Sequence, residues 1–270
     1  MKLGIFGRPI GHSRSPKLFS RLGRLLNKKM SYQAVEVAPA DLTATAQRSR
    51  KAGWRGASVT IPFKIEAARL SDRLTPAARA IGAANVLRFE ANNKITGHNT
   101  DADGLMDALK HAGVGMSGVH VLVFGAGGAA RAAGYAAAKG GAKSVRFTNR
   151  TASTATECAR DLAPCFPKTS FSAGAPRNAD IWINATPLGQ NGNPDVSPAP
   201  KSLRAPGAAV DMVYGKKTAF QRHAERLGAR TSDGTAMLVF QALRAFEFWD
   251  RPLGPRRRAL LAAALIKELS

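Results

Sequence analysis

Residues 119–150 read VHVLVFGAGGAARAAGYAAAKGGAKSVRFTNR, and the order of residue types in this stretch decides the fold. An apolar, β-branched run predicts a buried strand. A glycine turn follows at once, then an alanine-rich run of helix formers, then a second β-branched run ending in TNRT (148–151). In a strand–turn–helix–strand unit of this kind, Gly125 permits the tight turn and Gly127 lets the main chain approach a pyrophosphate. Ala130 is small enough for helix and strand to pack closely. The start of the helix offers free N–H groups and the positive end of its dipole to phosphates. GAGGAAR (125–131) is therefore read as a dinucleotide site. A preference for NAD would place Asp or Glu at the end of the second strand to bind the ribose 2′-hydroxyl. Asn149 and Arg150 stand there instead, with no acid before Glu157, and an arginine pairs bidentately with a 2′-phosphate. The expected cofactor is NADP (NADPH).

Outward from this unit, strands and helices alternate. KLGIFG (2–7), YQAVEV (32–37) and GASVTI (56–61) read as strands. Residues 16–27, 39–53 and 64–70 read as helices, the second capped by Asp41. ANVLRFE (84–90) and KITGHN (94–99) read as a hairpin around Asn92–Asn93. Residues 104–112 look helical, and the glycine-rich AGVGMSGV (112–119) reads as a candidate boundary. Further strands are expected at 179–186 and 208–214, and helices at 218–227, 235–249 and 256–268. The alternation predicts an α/β protein with a mostly parallel sheet. A Rossmann-type NADP-binding domain would take 104–236.

With 44% hydrophobic and 21% charged residues in 270, the chain has the composition of a soluble globular protein. No apolar run approaches the ~20 residues of a membrane span, so no membrane partner is expected. MKLGIFGRPIGHSRSP meets Gly, Arg and Pro before a signal-peptide core can form. Cys158 and Cys165 lack metal or redox spacing and fit a reduced, cytoplasmic protein. A net charge of +22 favours anionic ligands. Nucleic acid is disfavoured as a partner, because the basic residues are spread along the chain with no reading motif. Their densest run, RPLGPRRR (251–258), lies between two helices as a solvated loop. The expected partner is a small-molecule substrate, and a homodimer is compatible with the sequence.

The first hundred residues carry short polar motifs. HSRSP (12–16) places Ser13 and Ser15 in a loop after the first strand. SVTIPFK (58–64) carries Thr60 and Lys64, and GAANV (82–86) carries Asn85 ahead of NTD (99–101). Singly, these read as a helix cap, a solvated lysine and a turn former. GHNTDADG (97–104) looks like a metal loop, yet Asp101, Asp103 and one histidine fall short of a hard-cation cage, and no metal is expected. Asp103 is read as a first-turn helix residue facing a favourable dipole.

In this order, ahead of a dinucleotide fold, the motifs resemble the shikimate dehydrogenase family. GRPIGHSRSP, VTIPFK, NTD, GAGGAAR, NRT, INATPLG, DMVY and MLVFQALRAFEFW run collinearly through nearly the whole chain. The resemblance implies reversible, NADP-linked reduction of 3-dehydroshikimate to shikimate, a step of aromatic amino acid biosynthesis. It implies two α/β domains with a cleft between them: a substrate-binding domain with a mostly parallel sheet over 1–103 and 237–270, its C-terminal helices packing back, and the NADP-binding domain over 104–236. It also implies that Lys64 is catalytic, with Asp101 beside it. Ser13, Ser15, Thr60, Asn85, Thr100, Asp101, Tyr214 and Gln241 would hold the substrate. The cofactor would meet Gly125, Ala126, Gly127, Gly128, Ala129, Asn149, Arg150, Thr151, Ala185, Thr186, Met212, Val213 and Gly234.

The chemistry agrees with these assignments. A substrate with one carboxylate and several hydroxyls needs short polar donors and acceptors. Hydride delivery to a ketone puts negative charge on its oxygen, where a proton donor such as Lys64 must stand. Departures from the family pattern include His98 in place of Asp, Ala102 in place of Gly, Thr154 where a second basic residue for the 2′-phosphate is common, the turns PLGQ (187–190) and YGKKT (214–218), and Thr235 and Ala236 in place of Leu and Gly. Two alternatives remain open on sequence: a quinate or related cyclohexane-carboxylate dehydrogenase using NAD or NADP, and a catalytically silent basic nucleic-acid-binding or regulatory protein on the same fold.

Overall fold

A computed structural model of the protein describes residues 1–190 and 192–269. Two compact units divide the chain. The first is Met1–Thr100 with Val239–Glu268, and the second is Asp101–Leu238 with Leu269.

The first unit is built on strands β1 Lys2–Gly7, β2 Ser31–Glu36, β3 Gly56–Val59, β4 Arg73–Leu74, β5 Val86–Phe89 and β6 Ile95–His98, with helices α1 Ser15–Leu25, α2 Leu42–Lys51, α3 Lys64–Leu70 and α4 Pro76–Ile81. Its sheet has the order β2-β1-β3-β5-β6-β4. β1, β2 and β3 run parallel, as strands joined by crossover helices do. β5 and β6 form the expected antiparallel hairpin, with Asn93 at φ 65° in its turn. Asparagine tolerates that left-handed conformation better than most residues.

Phe6, Val59, Phe63 and Leu87 fill the core on one face of the sheet. From Val239 onward, helix α9 (Thr235–Trp249) and then α10 (Pro255–Leu269), as far as Glu268, also belong to this unit. The buried Trp249 anchors α9 to the sheet: its indole N–H donates to Leu87 O at 2.9 Å. A Cβ at Gly56 would lie 2.3 Å from that nitrogen, so only glycine admits the ring.

The second unit holds α5 Asp101–His111, β7 His120–Phe124, α6 Gly128–Lys139, β8 Ser144–Thr148, α7 Ala152–Leu162, β9 Ser170–Ala173, β10 Ile181–Asn184, β11 Ala208–Asp211, α8 Ala219–Arg226 and β12 Arg230–Ser232. All six strands are parallel, in the order β12-β11-β10-β7-β8-β9. The order in which strands are added reverses between β7 and β10, and open sheets of this kind bind ligands outside the carboxyl ends of the strands at that switch point. Leu122, Phe124, Trp182 and Phe220 pack one face.

Several local expectations need correction. Asp41 occupies the N-cap of α2, but its side chain makes no capping bond. Helix α5 starts at Asp101 rather than 104, and β4, α4, α7, β9 and β12 were not anticipated from the sequence. No helix among the described residues is long and apolar enough to cross a membrane.

Candidate active site

In the first unit, backbone hydrogen bonds draw three polar motifs together. Val59 N donates to Asn85 O at 2.7 Å, and Ala84 N donates to Lys64 O at 2.8 Å. Asn85 N donates to His98 O at 3.1 Å. Thr60 at the end of β3, half-buried Lys64 at the start of α3, and Asn85 before β5 therefore share one end of the sheet.

The Asn85 side chain is buried and fully used. Its amide nitrogen donates to Thr100 Oγ1 at 3.0 Å, its carbonyl accepts from Thr100 N at 2.7 Å, and Gln241 Oε1 lies 3.5 Å from the same nitrogen. Asn85, Thr100 and Gln241 thus meet although α9 enters from late in the chain. Buried Asn99 donates to Ala83 O at 2.9 Å and closes the same corner.

Ser13 and Ser15 lie at the start of α1, where Ser15 N donates to Ser13 Oγ at 3.3 Å. Ser15 is buried and hydrogen-bonded to the Tyr32 hydroxyl, which also donates to Ser58 Oγ at 2.8 Å. Burial, above all, pushes the Tyr32 phenol upward, so it stays protonated and available as a donor. Tyr32 is a polar member of this end of the unit that sequence reasoning passed over. Its one cue was a tyrosine in an alternating strand.

His98, a family departure, packs against side chains of the first unit. Its Nδ1 sits 2.8 Å from Thr75 Oγ1, the hydroxyl that caps α4 by accepting from Ala78 N at 3.3 Å. Its ring packs on Phe248 at 4.9 Å, and the Arg88 guanidinium lies over the other ring at 4.6 Å. Asp101 and Asp103 stand in the first turn of α5 in the second unit. Asp101 is buried, while Asp103 pairs with Lys139 at 3.1 Å. The half-buried Tyr214 also belongs to the second unit, in the turn after β11.

The glycine loop has the features a dinucleotide needs. Gly125 adopts φ 112°, and a Cβ there would lie 3.0 Å from Ala185 O, so the loops after β7 and β10 touch at the switch point only because this residue is glycine. A Cβ on Gly127 would meet nothing within 4 Å, so the loop borders open space. Gly127 caps α6 without a side chain, and no acid stands in the first turn. Among the described residues no capping side chain takes up the leading N–H groups of α6, so a pyrophosphate fits there. Cys158 Sγ backs the loop by donating to Ala126 O at 3.2 Å.

At the end of β8, Arg150 is exposed. Thr154, in the first turn of α7, ties up Asn149: its hydroxyl accepts from Asn149 Nδ2 at 2.8 Å and donates to Thr151 O at 2.8 Å. Ala185 and Thr186 follow β10, Met212 and Val213 follow β11, and Gly234 follows β12. A Cβ at Gly234 would lie 2.4 Å from Met212 O, and Gly234 N donates to Val213 O at 2.9 Å. The residues expected to meet the cofactor thus line the carboxyl ends of five neighbouring strands.

Comparisons with known proteins agree with this layout. Residues 5–87 match the model of the shikimate dehydrogenase substrate binding domain. The chain is 40% identical over 255 residues to the shikimate dehydrogenase (NADP(+)) of Thioalkalivibrio sulfidiphilus, covering 92% of each chain. It is 38% identical over 270 residues to that of Rubrobacter xylanophilus, covering 96% of this chain and 94% of the relative. The crystal structure of shikimate 5-dehydrogenase from Thermus thermophilus in complex with NADP(H) and shikimate superposes with a TM-score of 0.85 at 32% identity, over 98% of this chain and 99% of that one.

Proposed function

The chain belongs to the shikimate dehydrogenase family, and from that premise we infer that it catalyses the reversible, NADP-dependent reduction of 3-dehydroshikimate to shikimate. The observation that carries the inference is similarity to NADP-named relatives along nearly the full length of both chains. The open glycine cradle and the arginine at the end of β8 support NADP independently.

NADPH, when bound, supplies the hydride for the ketone. The protein's own groups handle substrate and proton. Lys64 gives a proton to the ketone oxygen as that oxygen gains negative charge, and takes it back in the reverse direction. Asp101, directly after Thr100, accepts a substrate hydroxyl. Thr60, Asn85, Thr100 and Gln241 supply neutral donors and acceptors for the remaining hydroxyls. Ser13, Ser15 and Tyr214 are assigned to the same substrate. The unit assigned to this carboxylate holds 24 of the 40 Lys and Arg but only 8 of the 18 Asp and Glu, a charge that attracts an anionic substrate.

The enzyme is assigned to the cytoplasm, in keeping with its unpaired Cys158 and Cys165. A homodimer would show in sedimentation. A panel of shikimate and quinate, each with NADP and with NAD, tests the substrate assignment. Faster oxidation of quinate, or a clear preference for NAD, would overturn it.

A further inference from the structure

Asp211 is a fully buried carboxylate that the proposed chemistry does not use. It ends β11 opposite Asn184, the last residue of β10. Three donors from three separate segments converge on it. Asn184 Nδ2 and Val213 N each reach Oδ1 at 3.0 Å, and the Thr218 hydroxyl donates to Oδ2.

Each partner holds something in turn. Asn184 Oδ1 accepts from Thr186 N at 3.1 Å and from Thr186 Oγ1 at 2.6 Å. Asn184 O accepts from Met212 N at 3.0 Å. Thr218 caps α8 in a reciprocal box with Gln221. One side chain therefore fixes the turn after β10, the turn after β11, and the start of α8.

We propose that Asp211 is the positioning residue for the cofactor turns, its carboxylate holding Thr186, Met212 and Val213 where NADP meets them. The assignment of those turns to NADP rests on the functional reading above. The groups facing Asp211 are uncharged on β10 (Asn184), in the turn after β11 (Val213), and at the start of α8 (Thr218 and Gln221). Among the described residues, the charge that bears on it is the carboxylate of Asp233, in the turn before α9. Burial, foremost, raises the Asp211 carboxyl to about 6. Protonation is accommodated locally. A proton on Oδ2 can be donated to Thr218 Oγ1, whose own hydrogen then turns to Gln221 Oε1 at 3.5 Å, leaving both bonds at Oδ1 in place.

Asparagine at 211 reproduces that protonated arrangement, whereas alanine removes every acceptor. The test compares Asp211→Ala, Asp211→Asn and wild type near neutral pH, by NADPH affinity from cofactor fluorescence and by amide hydrogen exchange in the cofactor-free protein. Asp211→Ala should weaken NADPH binding by about ten-fold or more, since orphaned buried donors cost that much. Exchange should quicken selectively at residues 184–188 and 212–214, with β7 unaffected. Asp211→Asn should restore both to near wild type.

A folded Asp211→Ala protein with wild-type NADPH affinity would overturn the proposal, as would exchange that rises evenly across the second unit. Should that variant not fold, Asn184→Ser, which removes one donor and leaves the carboxylate, is judged by the same two outcomes. If the wild type binds NADPH but does not oxidise shikimate, the substrate reading fails while Asp211 is still decided by affinity and exchange. If it binds no NADPH, the cofactor role of Asp211 falls as well.

Discussion

Asn85 and Thr100 hold each other through reciprocal bonds: the Asn85 amide nitrogen donates to Thr100 Oγ1 at 3.0 Å, and Thr100 N donates to Asn85 Oδ1 at 2.7 Å. Both side chains are buried. The pair fixes the chain at the residue before Asp101 and leaves Asn85 in one orientation. Asn85→Ala should leave the Thr100 amide unsatisfied, at a cost of about 1–3 kcal/mol of stability. The KM for shikimate should rise by about ten-fold or more, while NADPH affinity, which depends on the second unit, stays close to wild type. Urea unfolding and steady-state kinetics check the two effects separately.

Lys64 is anchored through its backbone, with Lys64 O accepting from Ala84 N at 2.8 Å, so a change of its side chain leaves the local fold in place. Lys64→Ala should lower kcat by about 10²-fold or more, the usual size of a lost general acid. NADPH affinity should be unchanged. Near-normal turnover would remove Lys64 from the chemistry.

His98 is predicted to be structural. Its contacts include the Thr75 cap at 2.8 Å and the Phe248 ring at 4.9 Å. His98→Ala should cost about 1–2 kcal/mol in unfolding free energy through the lost hydrogen bond and ring contact. The kcat should remain within about three-fold of wild type. A collapse of kcat with stability intact would instead place His98 in the reaction.

Cofactor preference should rest on Arg150. Thr154 carries no charge and is engaged with Asn149 and Thr151, so one guanidinium is the cation at the end of β8. Arg150→Ala should raise the KM for NADP by about ten-fold or more while changing that for NAD little, as expected for a lost charge-assisted pair. Equal losses for both cofactors would refute the assignment.

Asp211 also predicts a pH dependence with a definite sign. Its carboxyl is raised to about 6 when folded, so the folded state binds the proton more tightly than the unfolded chain does. The resulting stabilisation is fully present below the unfolded value near 4 and is lost as pH rises through about 6. Between about pH 7.5 and about pH 5, wild type should gain about 1.4 kcal/mol relative to Asp211→Asn. Urea midpoints at the two pH values measure this, and a difference of opposite sign would contradict it.

The parts of the fold legible in the sequence were those with strong local signals. β7, the glycine turn, α6 and β8 follow from one run of residue types, and α3 begins and ends where the pattern placed it. The hairpin of β5 and β6 was marked by its asparagines. Helix α7 escaped because its buried face is made of Ala155, Cys158, Ala159 and Leu162, mostly too small to produce an apolar stripe. β4, β9 and β12, of two to four residues, are too short to show alternation, and only pairing with a neighbouring strand defines them.

The candidate site divides in the same way. Lys64, Asn85 and the glycines sit in recognisable motifs. The Tyr32–Ser58 bond spans 26 residues, and the Asp211 cluster links strand ends 27 residues apart. Such contacts become visible only once the sheets are assembled.

The most direct test of the central claim is the rate of NADPH formation when the purified protein is mixed with NADP and shikimate, for wild type and for Lys64→Ala. Shikimate-dependent NADPH formation by wild type, nearly abolished in the folded Lys64→Ala variant, is the predicted result. No shikimate-dependent NADPH from a wild-type protein that binds the cofactor would contradict the assignment.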